Sequence, residues 1–232
     1  DGHHSVAGED GLCHRQGARR GTGPGPYPRV HRGGGRGPDA DAAEDDFEVT
    51  SVDPCYEMLC QLKQKKREGM RLRTVCSRMQ DFKESDFDFA ICVFTVLLYL
   101  LDEESLKKAI SAAHDSLKPG GLLLIDIPSR TIFQNYSVKD DLMERSVSVI
   151  KENEDIYRYQ EELKVKGPSG DESTYSDEFK IRYWPLEYVR NTLMTTGFVL
   201  KADLTGQFSG SGSHYWIMKK AELGVAPDGN SA

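Results

Sequence analysis

Phe47-Glu48-Val49-Thr50-Ser51-Val52-Asp53-Pro54 is the stretch on which the reading of this chain turns. Phe47 to Val52 is rich in β-branched residues and predicts a strand. Pro54 stands at the favoured first position of a helix, and Asp53 between them can cap it. In an α/β sheet, a carboxylate at the C-terminal edge of a strand stands where a ribose can hydrogen-bond to it.

Working downstream, the helix is expected from Pro54 to about Glu68, with Cys55, Leu59 and Leu62 as its apolar stripe and Gly69 as its stop. Arg71 to Cys76 predicts a strand that ends at a second acidic turn, Gln80-Asp81-Phe82. The run Phe89-Ala90-Ile91-Cys92-Val93-Phe94 is apolar on both faces and reads as a central strand covered on both sides. Asp102-Glu103-Glu104 opens a helix with Leu106, Ile110, Ala113 and Leu117 on one side, broken by Pro119-Gly120-Gly121 before a buried strand from Leu122 to Ile127. Two long strands are expected over 146–166 and 173–184, joined by Gly167-Pro168-Ser169-Gly170. Pro185 opens a helix with Leu186, Val189 and Leu193 on one side, stopped by Gly197, and Phe198 to Leu204 with His214 to Lys219 reads as a closing antiparallel pair.

Upstream, the composition changes sharply at Phe47. Residues 1–46 hold no Lys, Ile, Asn, Phe, Met or Trp, and Gly, Arg, Ala, Pro and Asp dominate. So few large apolar side chains cannot offset the entropy of ordering. The expectation is a low-complexity, disordered segment or a GC-rich stretch read in the wrong frame, then a domain over 47–220 and a flexible tail over 221–232. A length of 232 residues suits one domain with tails, and a formal charge of -7 argues against a nucleic-acid partner. No window has the apolar length of a membrane span, and five cysteines without metal-ligand spacing fit a reducing compartment, with Cys76 and Cys92 in the core. The chain is thus expected to be soluble and cytoplasmic, with no membrane partner and no metal.

Val52-Asp53-Pro54 with Met58-Leu59, then Gln80-Asp81-Phe82, then Leu117-Lys118-Pro119-Gly120-Gly121-Leu122 occur in an order and spacing that resembles the class I S-adenosylmethionine-dependent methyltransferases. Tyr183-Trp184-Pro185 and the final His214-Tyr215-Trp216-Ile217-Met218 look like that family's last two elements. Within the family the likeness is to small-molecule enzymes such as glycine N-methyltransferase, and it covers roughly residues 47 to 220. It implies an α/β, Rossmann-like, doubly wound sheet of seven strands, mostly parallel with an antiparallel last strand. The implied cofactor is S-adenosylmethionine and the implied partner a small-molecule substrate.

Under that resemblance Asp53 holds the ribose hydroxyls, since a carboxylate suits two neighbouring donors. Asp81 accepts from the adenine amino group, Phe82 and Met58 pack on the ring, and Val93 and Phe94 lie by the sulfonium and the methionine amine. Substrate-side candidates are Asp126, Ser129 and Arg130 after the Leu122 strand, then Tyr183 and His214. Tyr157, Tyr159 and Tyr175 are candidate pocket walls, while His114 reads as inert. The family's first strand and glycine loop are degraded or absent: Gly33-Gly34-Gly35-Arg36-Gly37 stands near the right distance, but no apolar strand precedes it and Pro38 to Ala43 lacks an apolar face. A nicotinamide-dependent oxidoreductase is the alternative enzyme, because an acidic residue ending a second strand reads ribose there as well. A methyltransferase-like scaffold without catalysis is the third reading.

Overall fold

The computed structural model describes residues 47–66, 69–167 and 171–222. The segment 1–46 with its glycine run, the turn residues 168–170 and the tail from 223 lie outside the described residues. Two compact units divide the chain, with the boundary after Ser77.

In the first unit β1 (Val49–Asp53) runs parallel to β2 (Leu72–Cys76), from Val49 opposite Leu72 to Asp53 opposite Cys76. The connecting helix α1 is shorter than expected, Tyr56–Gln64 with Cys55 as its N-cap. Its start is displaced because the Asp53 carboxylate accepts the Cys55 N–H at 2.7 Å, closing a turn over Pro54. Leu59 is buried, and Leu62 packs with Val49 on Met70 and Leu72. Cys76, expected in the core, is exposed at the end of β2.

The second unit contains β3 (Phe87–Cys92), α2 (Glu103–Ser116), β4 (Leu117–Pro128), β5 (Tyr136–Lys139), β6 (Met143–Lys151), β7 (Ile156–Lys166), β8 (Glu172–Arg182), α3 (Leu186–Thr196), β9 (Phe198–Asp203) and β10 (Ser213–Lys220). One four-stranded sheet has the order β3-β4-β10-β9, with β3 parallel to β4 and β10 antiparallel to both of its neighbours. The last strand is therefore antiparallel, as the resemblance implies. Where a single seven-stranded sheet was expected, the described residues form this mixed sheet and the separate β1-β2 pair.

One face of the mixed sheet is the core. Leu123, Ile125, Ile127, Trp216 and Met218 project to it and meet Leu106, Ala109, Ile110 and Ala113 of α2 and Val189 and Leu193 of α3. Full burial of such aliphatic side chains stabilises by about 1.5–3 kcal/mol each. The reading of Phe89–Phe94 as a central strand covered on both faces is corrected: among the described residues β3 pairs only with β4, and Phe89 and Ile91 are 44% and 43% exposed. An apolar run gives no sign of which face lacks a cover. Two glycines do what side chains could not. Gly120 (φ +78) turns the chain into the buried part of β4, and Gly197 (φ +106) stops α3 where a Cβ would stand 3.0 Å from His114 Nε2.

The second sheet is an antiparallel meander, β5-β6-β7-β8. The single strand expected over 146–166 is two, β6 and β7. The chain reverses at 152–155, where the Asn153 side chain accepts the N–H groups of Asp155 and Ile156 at 3.2 and 3.0 Å. One face carries Tyr157 and Ile181 against Leu98, with Phe133 and Tyr183 beside them. Farther along that face Tyr159 stacks on Phe179 with ring centres 4.8 Å apart, and Arg145 Nε donates to the buried Glu161 carboxylate at 3.0 Å.

Candidate functional site

In the first unit two candidate residues stand at the C-terminal end of β1. Asp53 is half-buried, with Oδ1 engaged by Cys55 N–H. Met58, in the first turn of α1, is 47% exposed and free to pack on a flat ligand.

In the second unit Asp81 ends a short helical turn, Met79–Asp81, and takes the Arg78 Nε–H on Oδ2 at 2.7 Å. An adenine amino group would share that carboxylate with the guanidinium. Phe82 beside it leans on Phe87, ring centres 5.9 Å apart. Asp81 and Phe82 line a groove of about 900 Å³ along α2, with Glu103, Lys107 and Asp115.

After β3 the backbone turns left-handed at two successive residues, Phe94 (φ 67) and Thr95 (φ 64). Val93 is half-buried there and the Phe94 side chain is 62% exposed. Asp126, near the end of β4, is 1% exposed and accepts the Thr95 N–H with both oxygens, at 3.2 and 3.1 Å. Burial pushes its carboxyl up to about 6, and the hydrogen bond from the Thr95 N–H holds it from going higher. Thr95 had no signal in the sequence, because a left-handed threonine is disfavoured on steric grounds and its carboxylate partner lies 31 residues away.

The structure brings several substrate-side candidates together. Arg130 donates from Nη1 to the Tyr157 hydroxyl at 3.0 Å and from Nη2 to Asp155 at 3.1 Å, and its guanidinium lies 4.0 Å from the centre of the Tyr183 ring. Asp155 was not foreseen; it lies in the reversal that the sequence reading ran through as strand. Ser129 bonds locally to Thr131, 2.6 Å between hydroxyl oxygens. Tyr175, 39% exposed, pairs with Leu163 and stands eight positions up the strand direction from Tyr183, outside this cluster. Burial, with a hydrogen bond to Tyr136, raises the Tyr159 phenol. His214 is half-buried opposite Ile127 in the β4-β10 ladder. His114 packs edge-on against Phe198 with ring centres 5.2 Å apart.

No group of three or more metal-ligating side chains occurs among the described residues, and no described helix is long and apolar enough to cross a membrane.

Residues 31–121 match the family model described as a methyltransferase domain, a span that takes in Gly33, Gly34, Gly35 and Gly37 as well as β1 to the start of β4. No curated protein matches the chain. Among solved structures it is similar to an S-adenosylmethionine-dependent methyltransferase from Clostridium acetobutylicum, at 18% identity and TM-score 0.70, with 78% of each chain covered. It is also similar to an amino pentose methyltransferase of calicheamicin biosynthesis from Micromonospora echinaspora, solved with S-adenosylmethionine bound (20% identity, TM-score 0.60, 75% of this chain and 74% of that one). A sugar N-methyltransferase from Streptoalloteichus matches at 19% identity and TM-score 0.61, covering 75% and 71%. Residues 31–121 thus match a methyltransferase domain, and the chain shares its fold, antiparallel β10 included, with S-adenosylmethionine-dependent methyltransferases.

Proposed function

We propose that this chain transfers a methyl group from S-adenosylmethionine to a small-molecule acceptor. The observation that carries the reading is the methyltransferase-domain match over residues 31–121. The strand order β3-β4-β10-β9 supports it from the fold side. S-adenosylmethionine supplies an electrophilic methyl group on a sulfonium, so the protein's own work is orientation and desolvation, with no strong base required.

In this reading Asp53 accepts from the ribose hydroxyls, Asp81 accepts from the adenine amino group, and Met58 and Phe82 cover the ring. Val93 and Phe94 offer backbone carbonyls to the amine of the methionyl arm. On the acceptor side, Arg130 and Tyr183 form a cation–aromatic pair held by Asp155 and Tyr157, a wall suited to a polar small molecule. His214, at the start of β10, completes the acceptor-side set. That two of the similar structures are named for sugar substrates supports a small polar acceptor. Calorimetric titration tests the assignment: S-adenosylhomocysteine should bind in the micromolar range and NADH should give no heat. Binding of NADH in place of S-adenosylhomocysteine would return the chain to the oxidoreductase reading, and binding of neither to the scaffold reading.

A further inference from the structure

Two consecutive residues other than glycine in left-handed backbone are uncommon, and a β-branched residue there is a steric outlier. Phe94 and Thr95 are such a pair, at φ 67 and 64. Conformations of this kind are strained and persist only where the surroundings impose them. What imposes this one is visible: the Thr95 N–H points at the Asp126 carboxylate, 3.2 and 3.1 Å from its two oxygens. That carboxylate is 1% exposed, stands opposite Tyr215 in the β4-β10 ladder, and has no cation paired with it among the described residues. An ionisable group buried without a counter-charge is expensive to keep.

We infer that Asp126 is a positioning residue for cofactor binding: it locks the Phe94–Thr95 turn left-handed and so fixes where the Val93 and Phe94 carbonyls stand, without touching the acceptor. The inference rests on the methyltransferase reading, because it is the methionyl arm that those carbonyls would meet. It also changes the part Asp126 plays. A side chain this buried acts through the backbone it holds.

The experiment uses the full chain, with S-adenosylhomocysteine affinity read by calorimetry and the Thr95 amide read by hydrogen exchange. Asp126→Ala should weaken binding at least tenfold and expose the Thr95 amide to exchange. Asp126→Asn, which keeps one oxygen for that N–H, should stay within about threefold of the parent. Adding Thr95→Gly to Asp126→Ala should recover most of the lost affinity, because glycine takes positive φ at no steric cost. A loss of general packing would not be repaired by a glycine in a turn. Unchanged affinity and a still-protected Thr95 amide in Asp126→Ala, or no recovery in the double variant, overturns the inference. Should Asp126→Ala fail to fold, Thr95→Gly in the Asp126→Asn background carries the test, with equal or tighter binding expected and a tenfold loss overturning it. Absence of binding by the parent would instead sink the methyltransferase reading, and exchange at Thr95 would still report whether Asp126 holds the turn.

Discussion

Asp53 and Asp126 are carboxylates near the C-terminal ends of strands, and their surroundings set them apart. Asp53 is half-buried and shares one oxygen with the backbone N–H of Cys55. Its substitution by alanine should weaken S-adenosylhomocysteine binding by roughly 1.5–3 kcal/mol, the range for a charge-assisted hydrogen bond. Calorimetry on Asp53→Ala checks this, and affinity equal to the parent's would leave Asp53 as a turn cap alone. Asp126 makes a different prediction, in pH. Its carboxyl titrates near 6 in the folded chain against an ordinary 3.8, so between those values the folded state holds a proton that the unfolded state has released. Stability should therefore fall as pH rises from about 4 to about 6 and level off above, by at most roughly 3 kcal/mol. Urea unfolding across that window should show the decline in the parent and lose it in Asp126→Asn.

At the scale of elements, α2 shows how local chemistry sets a boundary. The Asp102 carboxylate accepts the Ser105 N–H at 2.7 Å and the Ser105 hydroxyl at 2.8 Å, and these bonds lower its pKa. Asp102→Ala should cost about 1 kcal/mol in denaturant unfolding, and Asp102→Asn should recover most of it. This helix, the stop of α3 at Gly197 and the β9-β10 pair were legible in the sequence because each rests on contacts between near neighbours: a cap, a spacing of three and four, a glycine. The reversal between β6 and β7 was not. Glu152-Asn153-Glu154-Asp155 holds neither glycine nor proline, and the residues on either side continue one strand-like pattern. Legibility at the site divided along the same line. Asp53 announces itself by following a strand and preceding Pro54, whereas α2 and most of β4 separate Thr95 from Asp126 in the chain, so only the fold brings them together.

At the scale of the second unit, Trp184 ties the meander to the core. It is 3% exposed, and its indole N–H lies 3.0 Å from both the Leu97 and Leu100 carbonyls. Its ring stacks on Tyr188 and carries the Arg182 guanidinium 4.0 Å from its centre. Trp184→Phe keeps much of the apolar surface but strands those carbonyls, so it should cost about 1–3 kcal/mol. Guanidinium unfolding should show a lower midpoint with an unchanged slope; a lower slope would mean that the meander had come loose and unfolds separately.

The place of β10 between β4 and β9 bears on how the protein is made. Synthesis delivers β4 first and β9 later, but in the sheet the two are neighbours only through β10, which is translated after both. While a ribosome is still decoding residues 129–212, the emerging chain presents β4 with a bare hydrogen-bonding edge that carries Leu123, Ile125 and Ile127. The sheet can close only once Lys220 has cleared the exit tunnel, so folding of this unit is held back until β10 has emerged. A nascent chain stalled before Ser213 should be a ready client for chaperones that grip exposed strands, and one released after Lys220 should not.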